Sequence, residues 1–226
     1  ELLRHLREWA RAEADFAAAA RLSPELATID FFRARTWLEA GDFAQARSLA
    51  DRFVRAVPAE AEGWFLRGDI LAALNDPAGA ASDYAEGIRL TPTPRPEHFL
   101  RHAQFLARAE PANPSPALAA LDQGIARVGP VVTLVDYAIT LELERGNSDA
   151  ALTRIALAME NAPRRETWLV RRAEILAQSG RAAEAAAAYR GALAAINELP
   201  ERYQQTASMK TIAADARRAL ARLTLR

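Results

Sequence analysis

Apolar residues return every three to four positions along most of the chain, with polar residues between them. That spacing predicts helices rather than strands. Residues 61–74 place Trp64, Phe65, Leu66, Ile70, Leu71 and Leu74 on this period, and residues 77–90 place Ala80, Ala81, Tyr84, Ile88 and Leu90 on it. Between the two runs, Asn75-Asp76-Pro77 supplies a turn and a proline suited to a first helical position. Pro92 then stops the second helix. One such pair of short helices cannot bury its own apolar face, so stacked neighbours are required.

Small residues mark the neighbours. Ala12, Ala46 and Ala80 lie 34 residues apart; Ala117 follows after 37; Ala151 and Ala185 resume the 34-residue step. The spacing divides the chain into repeats at about residues 1–24, 27–58, 61–92, 96–130, 131–163 and 166–197. Residues 200–226 then form a capping helix, with Met209, Ile212, Ala216, Leu220 and Leu223 on one stripe. The first repeat is clipped, retaining only Leu2, Leu3 and Leu6 of its first helix, and upstream residues are expected to cover that face. The 37-residue interval comes from the loops 91–96 and 111–116, whose six prolines predict stiff, extended, exposed chain. In the fifth repeat, counting back from Gly146 puts Ile139 and Glu142 where a small and an apolar residue belong. A one-residue shift puts Ala138 and Leu141 there instead, and predicts a helix one residue longer.

The period and the residues Trp64, Gly68, Leu71, Ala80, Tyr84 and Pro92 resemble the tetratricopeptide repeat family. Arg67 stands where that family usually has leucine and Gly87 where it has alanine. Gly68 and Ala80 are expected at close helix contacts, with Trp64 and Tyr84 filling the space between layers. The resemblance covers residues 1–197 and implies an all-α, right-handed helix-turn-helix solenoid. It also implies a non-catalytic interaction scaffold without a cofactor, holding a peptide or partner protein in a concave groove lined by the first helices of the repeats. Groove-facing candidates are Phe31, Arg35 and Glu39; Glu62, Phe65 and Asp69; Arg101, Gln104 and Arg108; Asp136 and Thr140; and Arg171, Glu174 and Gln178. Arginine–carboxylate pairing and an aromatic shelf would hold the peptide. The lysine and asparagine clamp that some family members use for chaperone tails is absent, since those places hold Phe31, Arg35, Phe65 and Asp69. The segments LDQGIARVGP and ETWLVRRAEILAQSGR resemble uncharacterised bacterial members, many of them exported. This favours the periplasm over the cytoplasm.

Composition narrows the function classes. The 29 basic and 29 acidic residues balance, so the basic excess of a nucleic-acid binder is missing. The absence of cysteine removes disulfides, thiolate metal sites and cysteine nucleophiles. No apolar run approaches the roughly 18 residues of a membrane span. His98 and His102, four apart on one helix face, form the only metal-ligand spacing, next to Glu97. The pattern HFLRH lacks the glutamate of a helical metalloprotease motif, so a polar helix face is the plainer reading. Two alternatives stand beside the scaffold: self-assembly into a homo-oligomer through the clipped first repeat, and a metal-binding module at His98 and His102.

Overall fold

The computed structural model describes residues 9–23, 26–160, 162 and 164–224. Leu2, Leu3 and Leu6, on which the expectation of an exposed first-repeat face rests, lie outside the described residues. The described residues form helices and connecting turns. The chain divides into two compact units, Glu1–Leu134 and Val135–Arg226.

Unit 1 holds α1 (Trp9–Leu22), α2 (Thr28–Ala40), α3 (Phe43–Ala56), α4 (Ala61–Ala73), α5 (Pro77–Leu90), α6 (Pro96–Ala109) and α7 (Ser115–Val128). Each helix packs on its neighbour in sequence, and the first helices α2 and α4 also touch each other. Helix α8 (Val132–Glu144) carries the boundary between the units. Unit 2 continues with α9 (Ser148–Glu160), α10 (Glu166–Gln178), α11 (Ala182–Glu198), α12 (Glu201–Gln204) and α13 (Ala207–Thr224). In it α9 packs on α10, α10 on α11, and α13 covers α11 and touches α10. Each unit is a short stretch of helical solenoid.

Four of the turns inside the helix pairs share one chemistry; the proline turn between α6 and α7 does not have it. A left-handed residue ends the first helix: Gly41, Asn75, Gly146 or Gly180. The next residue starts the second helix, and Asp42, Asp76 and Asn147 there accept the N–H groups of Gln45, Gly79 and Ala150. The backbone N–H of that next residue also returns to a carbonyl of the first helix: Asp42 to Trp37, Asp76 to Leu71, Asn147 to Glu142 and Arg181 to Leu176.

These bonds fix the register of the fifth repeat, and they overturn the one-residue shift. Glu142 occupies the place of Leu71 and Leu176, Ile139 occupies the place of Gly68 and Ala173, and α8 has the same 13 residues as α2, α4 and α10. Glu142 is 5% exposed, and its charge is met by Arg154 of α9, whose Nε and NH2 donate to Oε1 at 3.2 Å. Ala138 and Ile139 are both fully buried.

The alanine rungs Ala46, Ala80, Ala117, Ala151 and Ala185 are all fully buried, and Ala12 nearly so. Between the layers of unit 1, aromatic rings sit in glycine sockets. A Cβ on Gly87 would meet the Phe65 ring at 2.5 Å, one on Gly63 the Phe53 ring at 2.5 Å, and one on Gly68 the Tyr84 ring at 2.7 Å. Tyr84 thus fills the layer as expected, but Trp64 does not. Trp64 is half-buried at the edge, where its indole N–H donates to the Pro58 carbonyl at 2.8 Å, and Phe65 fills the core instead. Arg67, in the usual leucine place, is a strut. Its Nε and NH2 hold both oxygens of buried Asp83 in α5 at 2.7 Å, and NH1 reaches Asp51 of α3 at 3.2 Å.

Two further expectations are corrected. Pro94 is buried within its loop, and Pro96 and Pro116 are half-buried in the first turns of α6 and α7, so the proline loops are not uniformly exposed. The last helix is broken at Gln205–Thr206, where the Thr206 hydroxyl accepts the Met209 N–H at 3.3 Å and starts α13. Met209 and Ala216 of the expected stripe are buried, together with Ala213.

Candidate functional site

Three first helices of unit 1 build one cleft. From α2 come Phe31, Arg35, Leu38 and Glu39; from α4 come Glu62, Phe65, Leu66 and Asp69; and from α6 come Glu97, His98 and Arg101. Arg95, just before α6, and Tyr84 of α5 complete a cavity of about 440 Å³ that is open to solvent. The helical spacing explains the alignment. Glu62, Phe65 and Asp69 follow steps of three and four on α4, and Phe31, Arg35 and Glu39 follow two steps of four on α2.

The floor is aromatic. His98 lies nearly flat on Phe65, with ring centres 4.1 Å apart, and Phe65 meets Tyr84 at 5.1 Å. Both His98 and Phe65 are buried, so Phe31 and Leu38 supply the more accessible apolar surface. The Tyr84 hydroxyl donates to Asp69 Oδ1 at 2.6 Å. Arg101 reaches the same carboxylate at 2.9 Å while its guanidinium lies over the Tyr84 and Phe105 rings. Burial pushes the Asp69 carboxyl above its ordinary value, against the opposing pull of Tyr84 and Arg101. Burial also pushes the Tyr84 phenol up, with Asp69 adding to the rise. His98 is pushed down by burial and then by Arg95, so its neutral form is favoured. Its Nδ1 accepts the Arg95 backbone N–H at 3.3 Å, and its Nε2 is 3.2 Å from the Arg95 guanidinium.

Seven of the groove candidates therefore share this cleft: Phe31, Arg35, Glu39, Glu62, Phe65, Asp69 and Arg101. Gln104 and Arg108 are exposed on α6 outside its lining. The remaining candidates belong to unit 2. Asp136 is exposed, and its carbonyl accepts the Thr140 hydroxyl at 3.0 Å. Arg171 lies 3.6 Å from Glu174, and Gln178 is exposed. Glu174 lines a second hollow of about 400 Å³ with Tyr189 and with Asp215, Arg218 and Arg222 of α13.

Sequence reasoning missed Leu38, Leu66, Tyr84 and Arg95 as lining residues, and took His98 and Glu97 only as metal ligands. The proline loop that delivers Arg95 and the second-helix position of Tyr84 lie outside a first-helix rule. Among the described residues, no group of three or more His, Cys, Asp or Glu side chains is placed to hold a metal ion. His102 is pushed down by burial, and its Nδ1 is buried without a hydrogen-bond partner. Among the same residues, no helix is long and apolar enough to cross a membrane.

The helix pairs, their turn chemistry and their 34-residue step have a counterpart in a known family model. The tetratricopeptide repeat model matches residues 1–56, 33–93 and 138–200, more than half of the chain. The chain belongs to the tetratricopeptide repeat family. No curated protein sequence matches it. Among solved structures, the C-terminal part of a tetratricopeptide repeat-containing protein from Cytophaga hutchinsonii is similar with a TM-score of 0.67 at 15% identity, covering 98% of this chain and 93% of that one. MamA gives 0.60 at 14% identity over 70% of this chain and 91% of its own. YrrB, described as a tetratricopeptide repeat protein with an unusual peptide-binding site, gives 0.57 at 15% identity over 90% and 97%. These likenesses are of fold. Tetratricopeptide repeat arrays generally serve as scaffolds for proteins and peptides.

Proposed function

We propose that this chain is a non-catalytic interaction module whose unit 1 receives an extended segment of a partner protein in the cleft between α2, α4 and α6. The carrying observation is the cleft itself: about 440 Å³ open to solvent, with apolar side chains at its base and charged ones at its rim. The likeness in fold to YrrB, whose description names a peptide-binding site, agrees with this reading. Two of the cleft's acid–base pairs are internal, Arg35 with Glu39 and Arg101 with Asp69. Asp69, the most buried of its acids, is held by Tyr84 and Arg101.

The test is site-specific photo-crosslinking in the native host. Benzoylphenylalanine replaces Arg35 on the cleft rim or, as a control, Ser48 on the exposed face of α3. Crosslinks from position 35 to one linear segment of a partner, competed by a synthetic peptide of that segment, are expected. Equal crosslinking from both positions, or none from position 35, would sink the cleft assignment. Charge reversal at Arg101 is a poorer probe, because it sets a second carboxylate against Asp69 and disturbs the cleft wall.

A further inference from the structure

The pairing of charges within the cleft decides what kind of segment it takes, given the groove reading above. Two of its three arginines are already answered inside the protein. Arg35 lies 3.6 Å from Glu39, and Arg101 lies 2.9 Å from Asp69. Arg95 is folded against His98. An incoming acidic residue would have to compete with Glu39 for Arg35 or with Asp69 for Arg101, a costly exchange for the half-buried Asp69.

The acids are not answered in the same way. Glu62 and Glu97 are both exposed in the cleft, and among the described residues no cation pairs with either. Both line the cleft beside the stacked Phe65 and His98 rings. Glu62 lies one turn before Phe65 on α4; His98 stacks on Phe65; Glu97 precedes His98 on α6. Both carboxylates pull His98 toward its protonated form, while burial and Arg95 act more strongly the other way. The neutral imidazole is favoured and adds no counter-charge to the two acids, and the Arg95 guanidinium, held 3.2 Å from its Nε2, ion-pairs with neither of them. Over the whole lining, four carboxylates face three guanidinium groups.

We infer that the occupant is an extended peptide segment with a lysine or arginine side chain seated between Glu62 and Glu97, and an apolar neighbour against Phe31 and Leu38. The acids supply charge complementarity, which sets the choice of partner and its register. The apolar neighbour supplies contact area, and its ordering against a preformed wall limits the entropic cost.

The test uses pools of immobilised nonapeptides in which the central residue is fixed as Lys, Arg, Glu, Asp or Leu and the flanking positions are randomised. Binding of the whole chain is read on each pool at low and at 0.5 M salt, the latter an ordinary screening condition of roughly 4 Å Debye length. Retention on the Lys and Arg pools above the others is expected, weakened by salt. Glu62→Gln and Glu97→Gln should each weaken that retention about fivefold, while Arg35→Gln leaves the preference for basic pools in place. Both acids are exposed and unpaired, so folding should be unchanged, as circular dichroism would verify. Preference for the Glu and Asp pools would overturn the charge assignment and leave the groove reading intact. No retention on any pool, with a mass that rises with concentration, would put a second copy of the chain in the cleft and overturn both.

Discussion

The two units stack the same helix pairs but fill the space between layers differently. In unit 1 the sockets are glycines and the fillers are rings: Gly63 takes Phe53, Gly68 takes Tyr84, Gly87 takes Phe65, and Gly124 takes Phe99. In unit 2 the buried small residues are alanines instead: Ala151, Ala173, Ala185 and Ala192 are fully buried, Ala173 and Ala185 cluster with Leu176 and the Tyr189 ring, and the helical Gly191 meets no other element within 4 Å. A glycine in a helix costs about 1 kcal/mol relative to alanine. In unit 1 that cost is offset because each glycine admits a ring that buries far more area than a methyl group. The consequence is local. The sockets draw Phe65 into the core, and its other face becomes the platform on which His98 and the cleft floor rest.

The strongest way to break this comparison is at Phe65. Phe65→Ala should cost about 3–5 kcal/mol, because it empties both the Gly87 socket and the support under His98. Gly87→Ala should cost about 1–3 kcal/mol, since the ring it touches is wedged between layers and cannot retreat freely. Trp64→Ala, half-buried at the edge, should cost less than Phe65→Ala, the reverse of what the family signature alone implies. Urea denaturation of the three variants ranks them. A Phe65→Ala loss below that of Trp64→Ala would mean that the glycine sockets are incidental.

Buried charge differs between the units as well. Arg67 in unit 1 is shared by two acids on two helices, whereas Glu142 in unit 2 takes a place where α4 and α10 have leucine and is met from α9. Arg154→Met should cost about 2–3 kcal/mol, because it removes the hydrogen-bonded partner of the buried Glu142 carboxylate and leaves only Arg145, 3.6 Å away. Glu142→Leu should stay within about 1 kcal/mol of the parent, because an apolar residue of similar size suits that place. Thermal melts of the two variants separate the outcomes. Equal losses would show that Glu142 is needed there rather than merely tolerated.

Glu142 also shows where the sequence stops being legible. The alanine period, the left-handed turn residues and the helix pairs could all be read, because each rests on local spacing or local backbone chemistry. The register of α8 could not. Residue type argued for moving Ala138 into the small-residue place, but the backbone bond from Asn147 to Glu142 sets the register whatever the side chain. The choice between Trp64 and Phe65 failed for a related reason: adjacent apolar residues both fit a helical stripe, and only the glycine opposite selects one. At the cleft, the first-helix spacing was enough to align seven residues. That Arg101 is bound by Asp69, 32 positions earlier, depends on how two helices dock and has no local signature.

The response to pH sharpens the contrast further, because every histidine of the chain precedes the unit boundary. His98 and His102 are both held below the ordinary histidine value by burial, and His98 also by Arg95 against the weaker pulls of Glu62 and Glu97. A histidine lowered in the folded state takes its proton first in the unfolded chain. Its contribution to stability is therefore present above about pH 6.5 and is lost as pH falls below that. Hydrogen exchange at pH 7.5 and 5.5 should show protection falling in α4–α6. The His98→Gln, His102→Gln double variant should flatten that loss, and a loss that persists unchanged in the double variant would assign the acid sensitivity to other groups.

The smallest expected effect tests the comparison from the side of unit 2. Gly191 lies inside α11 with no atom beyond its own stretch of helix within 4 Å of the place where a Cβ would stand, so no ring depends on its absence. Alanine there removes the entropic cost of glycine and introduces no clash. Gly191→Ala should stabilise by about 0.5–1 kcal/mol, read as a rise in the denaturation midpoint with the slope unchanged. The same substitution at Gly87 carries the opposite sign. If both were stabilising, the rings of unit 1 would have room to move, and its glycines would be no more than weak points in their helices. If both were destabilising, α11 would have to pack at Gly191 against another element, where none lies within 4 Å of a Cβ.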